Sequence, residues 1–243
     1  MQNNPDNLSQ QENIRLIFDI IHRAAFHHVM WFAEVSEHLG KEKALEILGK
    51  VYKQTTAIQT KRLSKTFGIE MNDELPSNLI NLPVEKLNEL RESLAINWLA
   101  NDGVWFQAVE FSIGMDNAKH CNDSCWAKFS PFEAWSIKQF LELPEFPGLE
   151  GLKQSLRFRL YAFINTQSVV DEMTDSFIFR MNDCRVQSAR KRKGLPDYPC
   201  KSAGMIEFPE FAKAIDSRIK TACVCCPPDV HPNTHFCAWR FYL

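Results

Sequence analysis

The chain carries no surplus of charge of either sign. Its 28 Lys and Arg nearly balance 30 Asp and Glu, for a net charge of −2, so no global field draws it to nucleic acid or to an anionic membrane. Long apolar runs are missing as well. Nothing approaches the roughly 20 apolar residues of a membrane span, and the opening MQNNPDNLSQQEN has neither the positive nor the apolar segment of a secretory signal. The expectation is a cytoplasmic protein with no nucleic-acid and no membrane partner. A glycine-rich phosphate loop, a GxSxG elbow and an HExxH helix are also absent, which leaves nucleotide-binding, serine-hydrolase and zincin chemistries without their signatures.

Cysteine, by contrast, is concentrated. Six of the eight cysteines fall in the 54 residues from Cys184 to Cys237. In a reducing compartment such thiols are metal ligands, catalytic groups or small apolar core residues before they are disulfides. Cys223 and Cys226 have the two-residue separation at which a turn lets both sulfurs converge on one ion, and Pro227 and Pro228 favour that turn. Cys237 lies on the next expected strand. Cys184 opens an expected helix, whose dipole would acidify its thiol, and Cys200 is a fifth candidate. Four thiolates suit zinc, and an iron–sulfur cluster accepts the same ligands. Cys225 should point away from Cys226. Cys121 and Cys125 share a helical face and are expected as buried core thiols.

The rest of the chain, 45% hydrophobic over 243 residues, can bury a full core. Ser9 and Glu12 have capping-box spacing. A helix follows with Ile14, Ile17, Phe18, Ile21, Phe32 and Val35 on its apolar side and Gly40 as its stop, then a second helix ending near Gly68. Pro83 starts a third, which Gly114 ends, and Ser130 with Pro131 signals another start. Trp31, Phe32, Val35, Gly40 and Ala44 match Trp105, Phe106, Val109, Gly114 and Ala118 at a constant offset of 74 residues, which suggests a duplicated helical hairpin over 31–44 and 105–118. From Leu156 to Ile164 the apolar residues alternate as in a strand, and Phe177–Met181 continues that character. A helix is expected over Cys184–Lys193, a short one over Phe208–Ile215, and strands over Arg218–Cys225 and His235–Leu243. The expected architecture is α+β: a helical region over 1–148 and a Cys-rich region over 149–243 with a small antiparallel sheet, packed as one unit.

Outside the cysteines, Asp102 and Glu110 lie eight apart on one side of a helix beside Trp105, with Asp123 on the next helix. They are candidates for a hard metal or for general acid–base work. His27 and His28 fall opposite Asn101 and Asp102 in the repeat. Arg185 could lower the pKa of Cys184 or clamp a carboxylate, while the basic run Arg190–Lys193 fits a solvated helix end. His231 or His235 could replace a sulfur as ligand.

The segment CR-x-Q-xx-R (Cys184, Arg185, Gln187, Arg190), Gly194-Leu195, Pro199-Cys200, CxxCPPD (Cys223, Cys226, Pro227, Pro228, Asp229) and CAWRF (Cys237 to Phe241) resembles the C-terminal region of bacterial cytosolic proteins of largely unknown function grouped with L-2-amino-thiazoline-4-carboxylic acid hydrolases. DGVWF-x-AVE (Asp102 to Glu110) and WF-x-EV (Trp31 to Val35) look like their helical part. At longer range the chain is similar to vinyl-reductase-like ligand-sensing domains. That likeness implies a zinc site capping a small-molecule pocket, with Cys184, Cys200, Cys226 and Cys237 as ligands and no counterpart for Cys223.

The first expectation is therefore a metal-binding protein with a pocket for a small anionic ligand, with Trp105, Arg185, Gln187 and Arg190 as ligand-binding candidates. The alternative is a hydrolase acting on a C=N or amide-like bond with Arg185, Asp102 and Glu110 in catalytic roles, and a third is an iron–sulfur redox protein. The residues leave open whether the chain is an enzyme, and they admit a homodimer.

Overall fold

The computed structural model describes residues 5–173, 175–192, 194 and 197–243, apart from the side chains of Asp171 and Glu172. The chain forms two compact units, Met1–Leu82 and Pro83–Leu243.

In the first unit α1 (Gln10–Leu39) begins at the expected capping box. The Glu12 amide donates to Ser9 Oγ at 3.3 Å and the Ser9 amide to Glu12 Oε2 at 2.8 Å. A single residue, Gly40, separates α1 from α2 (Lys41–Phe67), and Gly68 closes α2 in the left-handed conformation. A two-residue hairpin follows, β1 (Met71–Asn72) with β2 (Leu75–Pro76), then the short α3 (Ser77–Ile80). These lie between the expected ends of the second helix at Gly68 and the start of the third at Pro83.

The second unit opens with α4 (Val84–Ile113) and α5 (Met115–Phe140), joined through Gly114 alone. Gly40 (φ 81°, ψ 156°) and Gly114 (φ 94°, ψ 164°) share one backbone conformation, and four residues on Ala44 and Ala118 are each 1% exposed. In each pair the two helices are joined through a glycine, and the alanine four residues on is buried. Ser130 and Pro131 do not start a helix but lie inside α5, both buried.

The expected strand over 156–164 is instead the end of α6 (Gly148–Leu156) and a short 3-10 turn, Leu160–Phe163. Leu149, Leu152 and Leu156 recur at three and four residues and are all buried. Alternation misled there because it takes arginine to face solvent, whereas Arg159 is inside the protein. The strands β3 (Thr166–Met173), β4 (Ser176–Asp183), β5 (Lys220–Cys225) and β6 (Cys237–Tyr242) form an antiparallel sheet in the order β3-β4-β6-β5. Between β4 and β5 run α7 (Arg185–Arg192) and α8 (Lys201–Ile215). Lys193, expected to end the first of these, and Leu195 lie outside the described residues.

Period-two spacing turns Phe177, Phe179 and Met181 of β4 and Cys237, Trp239 and Phe241 of β6 to one face. There they meet Phe208, Phe211 and Ile215 of α8, Ala134 and Ile137 of α5, and the leucines of α6. Phe208 stacks on Trp239 at 4.6 Å between ring centres. Because α5 packs on α8, the boundary suggested at 148 falls within this unit. Among the described residues no helix is long and apolar enough to cross a membrane.

Candidate functional site

At the end of the sheet where β4 leaves and β6 enters, a cavity of about 400 Å³ is walled by α4, α5, α7 and α8. Phe106, Trp126, Tyr161, Tyr198, Phe208 and Phe236 give it aromatic walls, and four cysteines, Cys184, Cys200, Cys226 and Cys237, reach it from four separate segments.

Each thiol is held by local backbone geometry. Cys184 immediately precedes α7, and its sulfur accepts from the amides of Val186 and Gln187. Cys200 caps α8, with the Gly204 amide bonded to its carbonyl. Cys226 ends the β5 side, where the Asp229 amide closes a turn onto its carbonyl and the Pro227 carbonyl accepts from the Lys201 amide at 2.9 Å. Cys237 opens β6 opposite Met181. The Cys200 and Cys226 sulfurs are 3.6 Å apart, and Cys226 also hydrogen-bonds Cys237. Gln187, 1% exposed, fixes the neighbouring loop: its amide nitrogen donates to the Tyr198 carbonyl at 2.9 Å, and its oxygen accepts from the Tyr198 amide at 2.8 Å. The same nitrogen reaches Cys200 Sγ at 3.6 Å.

The thiols differ electrically. Cys200 lies below the usual thiol range because Cys226 and then Gln187 donate to it, and Cys226, as donor to Cys200 and Cys237 in a buried setting, lies far above. Burial pushes Cys184 up to about 12, outweighing the two amides at the start of α7, so the acidified Cys184 expected from the helix dipole is not what the fold makes. Among the described residues no group of three or more His, Cys, Asp and Glu stands ready-made around a metal position. The Cys200–Cys226 pair is the close one, at 3.6 Å, and charge on Cys237 and Cys200 adds to the burial that raises Cys184.

A family model described as a family of unknown function (DUF6125) matches residues 6–84 and 80–243. The chain belongs to this family. No curated protein and no solved structure matches it. The second matched segment carries every residue of the cavity, and the two segments meet where the two structural units divide.

Several other expectations change. Cys223 does not line the cavity; it stands opposite Trp239 in the β5–β6 ladder, and burial lifts it to about 11. Cys225 does turn away, as its strand position implied, to pack with Ile178 and Ala238 on the other face. Cys121 and Cys125 are exposed rather than core thiols. Arg185 is exposed and outside the cavity, its amide bonded to Asn165 Oδ1 at 2.8 Å, while Arg190 and Gln187, further along α7, do line it. Trp105 is 62% exposed, whereas its neighbours Asp102, Phe106 and Glu110 face inward. Asp123 accepts from Ser202 Oγ outside the lining, and His27 and His28 are exposed on α1. His231 is tied to Asp197 at 2.8 Å, which raises its pKa, and His235 is buried, which lowers its own; neither faces the thiols.

Two contributors had no sequence signal. Tyr161 lines the cavity, stacked on Trp126 at 5.7 Å. Behind it Arg159, 2% exposed, bridges Glu133 of α5 and Glu207 of α8, each at 2.8 Å. Glu207 is itself a lining residue, and burial pushes its carboxyl up despite the guanidinium.

Proposed function

We propose that this chain is a small-molecule-binding protein whose cavity is floored by a zinc–thiolate centre drawn from Cys184, Cys200, Cys226 and Cys237. The observation that carries the reading is that these four cysteines, from the start of α7, the start of α8, the β5–β6 connection and β6, all line one cavity, with the Cys200 and Cys226 sulfurs 3.6 Å apart. Two of the four sulfurs are met by N–H donors. Backbone amides donate to Cys184 and the Gln187 amide to Cys200, the kind of N–H donation that supports sulfur ligands of a metal. The 3.6 Å between Cys200 and Cys226 is close to the edge of about 3.8 Å that tetrahedral Zn–S bonds of about 2.3 Å require. A zinc ion here would supply a cross-link between four segments that the sheet ladder, backbone hydrogen bonds and the core already bring near one another.

One observation favours a second reading, a thiol-dependent hydrolase of the kind the thiazoline-carboxylate resemblance suggests: Cys200, with its lowered pKa, faces the cavity. The exposed Arg185 cannot then hold a substrate carboxylate, and Arg190 takes that place.

Metal analysis of protein purified without oxygen tests the first reading. One colourless zinc per chain is expected, lost in Cys226→Ser and kept in Cys223→Ser. Metal-free protein whose Cys200 alkylates fastest supports the hydrolase reading, and visible absorption with bound iron supports the redox alternative.

A further inference from the structure

The cavity's electrostatics go beyond that reading. Three carboxylates line it, Asp102 and Glu110 from α4 and Glu207 from α8, and the one basic side chain among the described lining residues is Arg190. We infer that the cavity takes a small organic cation, an amine carried on a flat apolar body, rather than an anion; the inference rests on the cavity of the proposed function but not on its metal.

Asp102 supplies the strongest argument. It forms no hydrogen bond and no ion pair among the described residues, and burial alone holds its carboxyl above the usual range. A half-buried carboxylate with no partner among the described residues carries part of that desolvation cost, which a ligand of opposite charge would offset. Burial is the main cause that lifts Tyr161, Tyr198 and Glu207 around the cavity, and the negative charge of Asp102 adds to it at each. Glu207 already has Arg159 as counter-ion, so the unmatched charge is that of Asp102.

The aromatic walls act in the same sense. Trp126 stacks on Tyr161 at 5.7 Å and Phe106 meets Tyr198 edge to face at 5.5 Å, and all four rings line the cavity. Aromatic faces attract ammonium groups, more so where water is excluded. The anion expected from the sequence finds no such support: Arg185 is outside, the Gln187 amide is committed to Tyr198, and Arg190 alone would have to outweigh three carboxylates. A tetrathiolate zinc would carry two further negative charges, so metal and amine reinforce each other without either requiring the other.

The test is calorimetric titration of the full chain with two matched pairs, tryptamine against indole-3-acetate and phenethylamine against phenylacetate, with zinc content measured on the same samples. At least one amine should bind roughly 10-fold more tightly than its matched acid, and Asp102→Asn should weaken that amine roughly 10-fold while zinc content stays the same. Glu110→Gln should weaken it in the same direction. Acids that bind as well as or better than amines, no amine binding, or an Asp102→Asn variant that binds as the parent does would each overturn the inference. Amine binding by metal-free protein leaves the inference standing and removes the zinc centre; zinc-loaded protein that ignores both amines does the reverse.

Discussion

Asp102 is a residue whose role shows in its lack of partners among the described residues. Burial raises its pKa from an ordinary value near 3.8, so the folded chain disfavours the charged form. The penalty is absent below the unfolded pKa and grows as pH rises through the folded one. Asp102→Asn should therefore melt with the parent near pH 3.5 and above it at pH 7, a difference that thermal melts across that range would reveal; a variant that melts lower at pH 7 would mean an unseen partner. Arg159 is the converse case. It sits 2% exposed between Glu133 and Glu207 and 4.5 Å over Phe211. Arg159→Met strands two buried carboxylates and should cost about 3–5 kcal/mol in urea unfolding, much of it recovered when Glu133→Leu and Glu207→Met are added. The sequence hid this because Arg159 looks like any outward arginine until residues 133 and 207 are brought to it. Cys226 and Cys237 were legible from spacing, but the CxxC motif overreached: Cys223 lies in a strand with an irregularity between it and Cys225, so the turn that would bring it round to Cys226 never forms.

The two glycine-bent hairpins are the clearest case at the level of elements. Gly40 and Gly114 occupy a backbone region open essentially to glycine, and a Cβ at either would meet nothing within 4 Å. Substitution thus probes conformation free of clash. Gly114→Ala should cost about 1–3 kcal/mol and lower the melting point of the unit that holds the cavity. Gly40→Ala should cost a similar amount in the other hairpin, and circular dichroism would report both. An unchanged midpoint in both variants would mean that α1–α2 and α4–α5 can bend without this conformation. Helix ends of this kind were readable because their chemistry is local: a capping box at Ser9 and Glu12, a glycine at each bend, Pro83 before α4. The start of α5 was not, since a proline inside a long helix and one at its beginning have the same neighbours in sequence. Strand β3 escaped because Thr166–Met173 gives no clean alternation, whereas β6, with Cys237, Trp239 and Phe241 turned to one side, declared itself.

The two units differ in how much they bury. In the first, α1 contributes no buried residue, and α2 only Ala44 and Ser64. Ile14, Ile17, Phe18 and Ile21 are each about half or more exposed, though the sequence marked them as the apolar side of the helix. Periodicity reveals which side of a helix is apolar but not what, if anything, covers it. In the second unit α8, β4 and β6 share one continuous aromatic core. Stability against local opening follows buried contacts, so the two should separate under hydrogen exchange. Amides of α1 should exchange roughly 10-fold or more faster than those of α8 and β6 at pH 7, because a long helix without a packed face relies on its cap and on exposed pairs such as Asp19–Arg23, worth only a few tenths of a kcal/mol each. Protein concentration sharpens the test. If α1 slows to the rate of α8 as concentration rises, its apolar side is being buried against a second copy, the homodimer that the sequence admits; if it is as slow as α8 at every dilution, the difference in burial between the two helices does not set their rates of local opening.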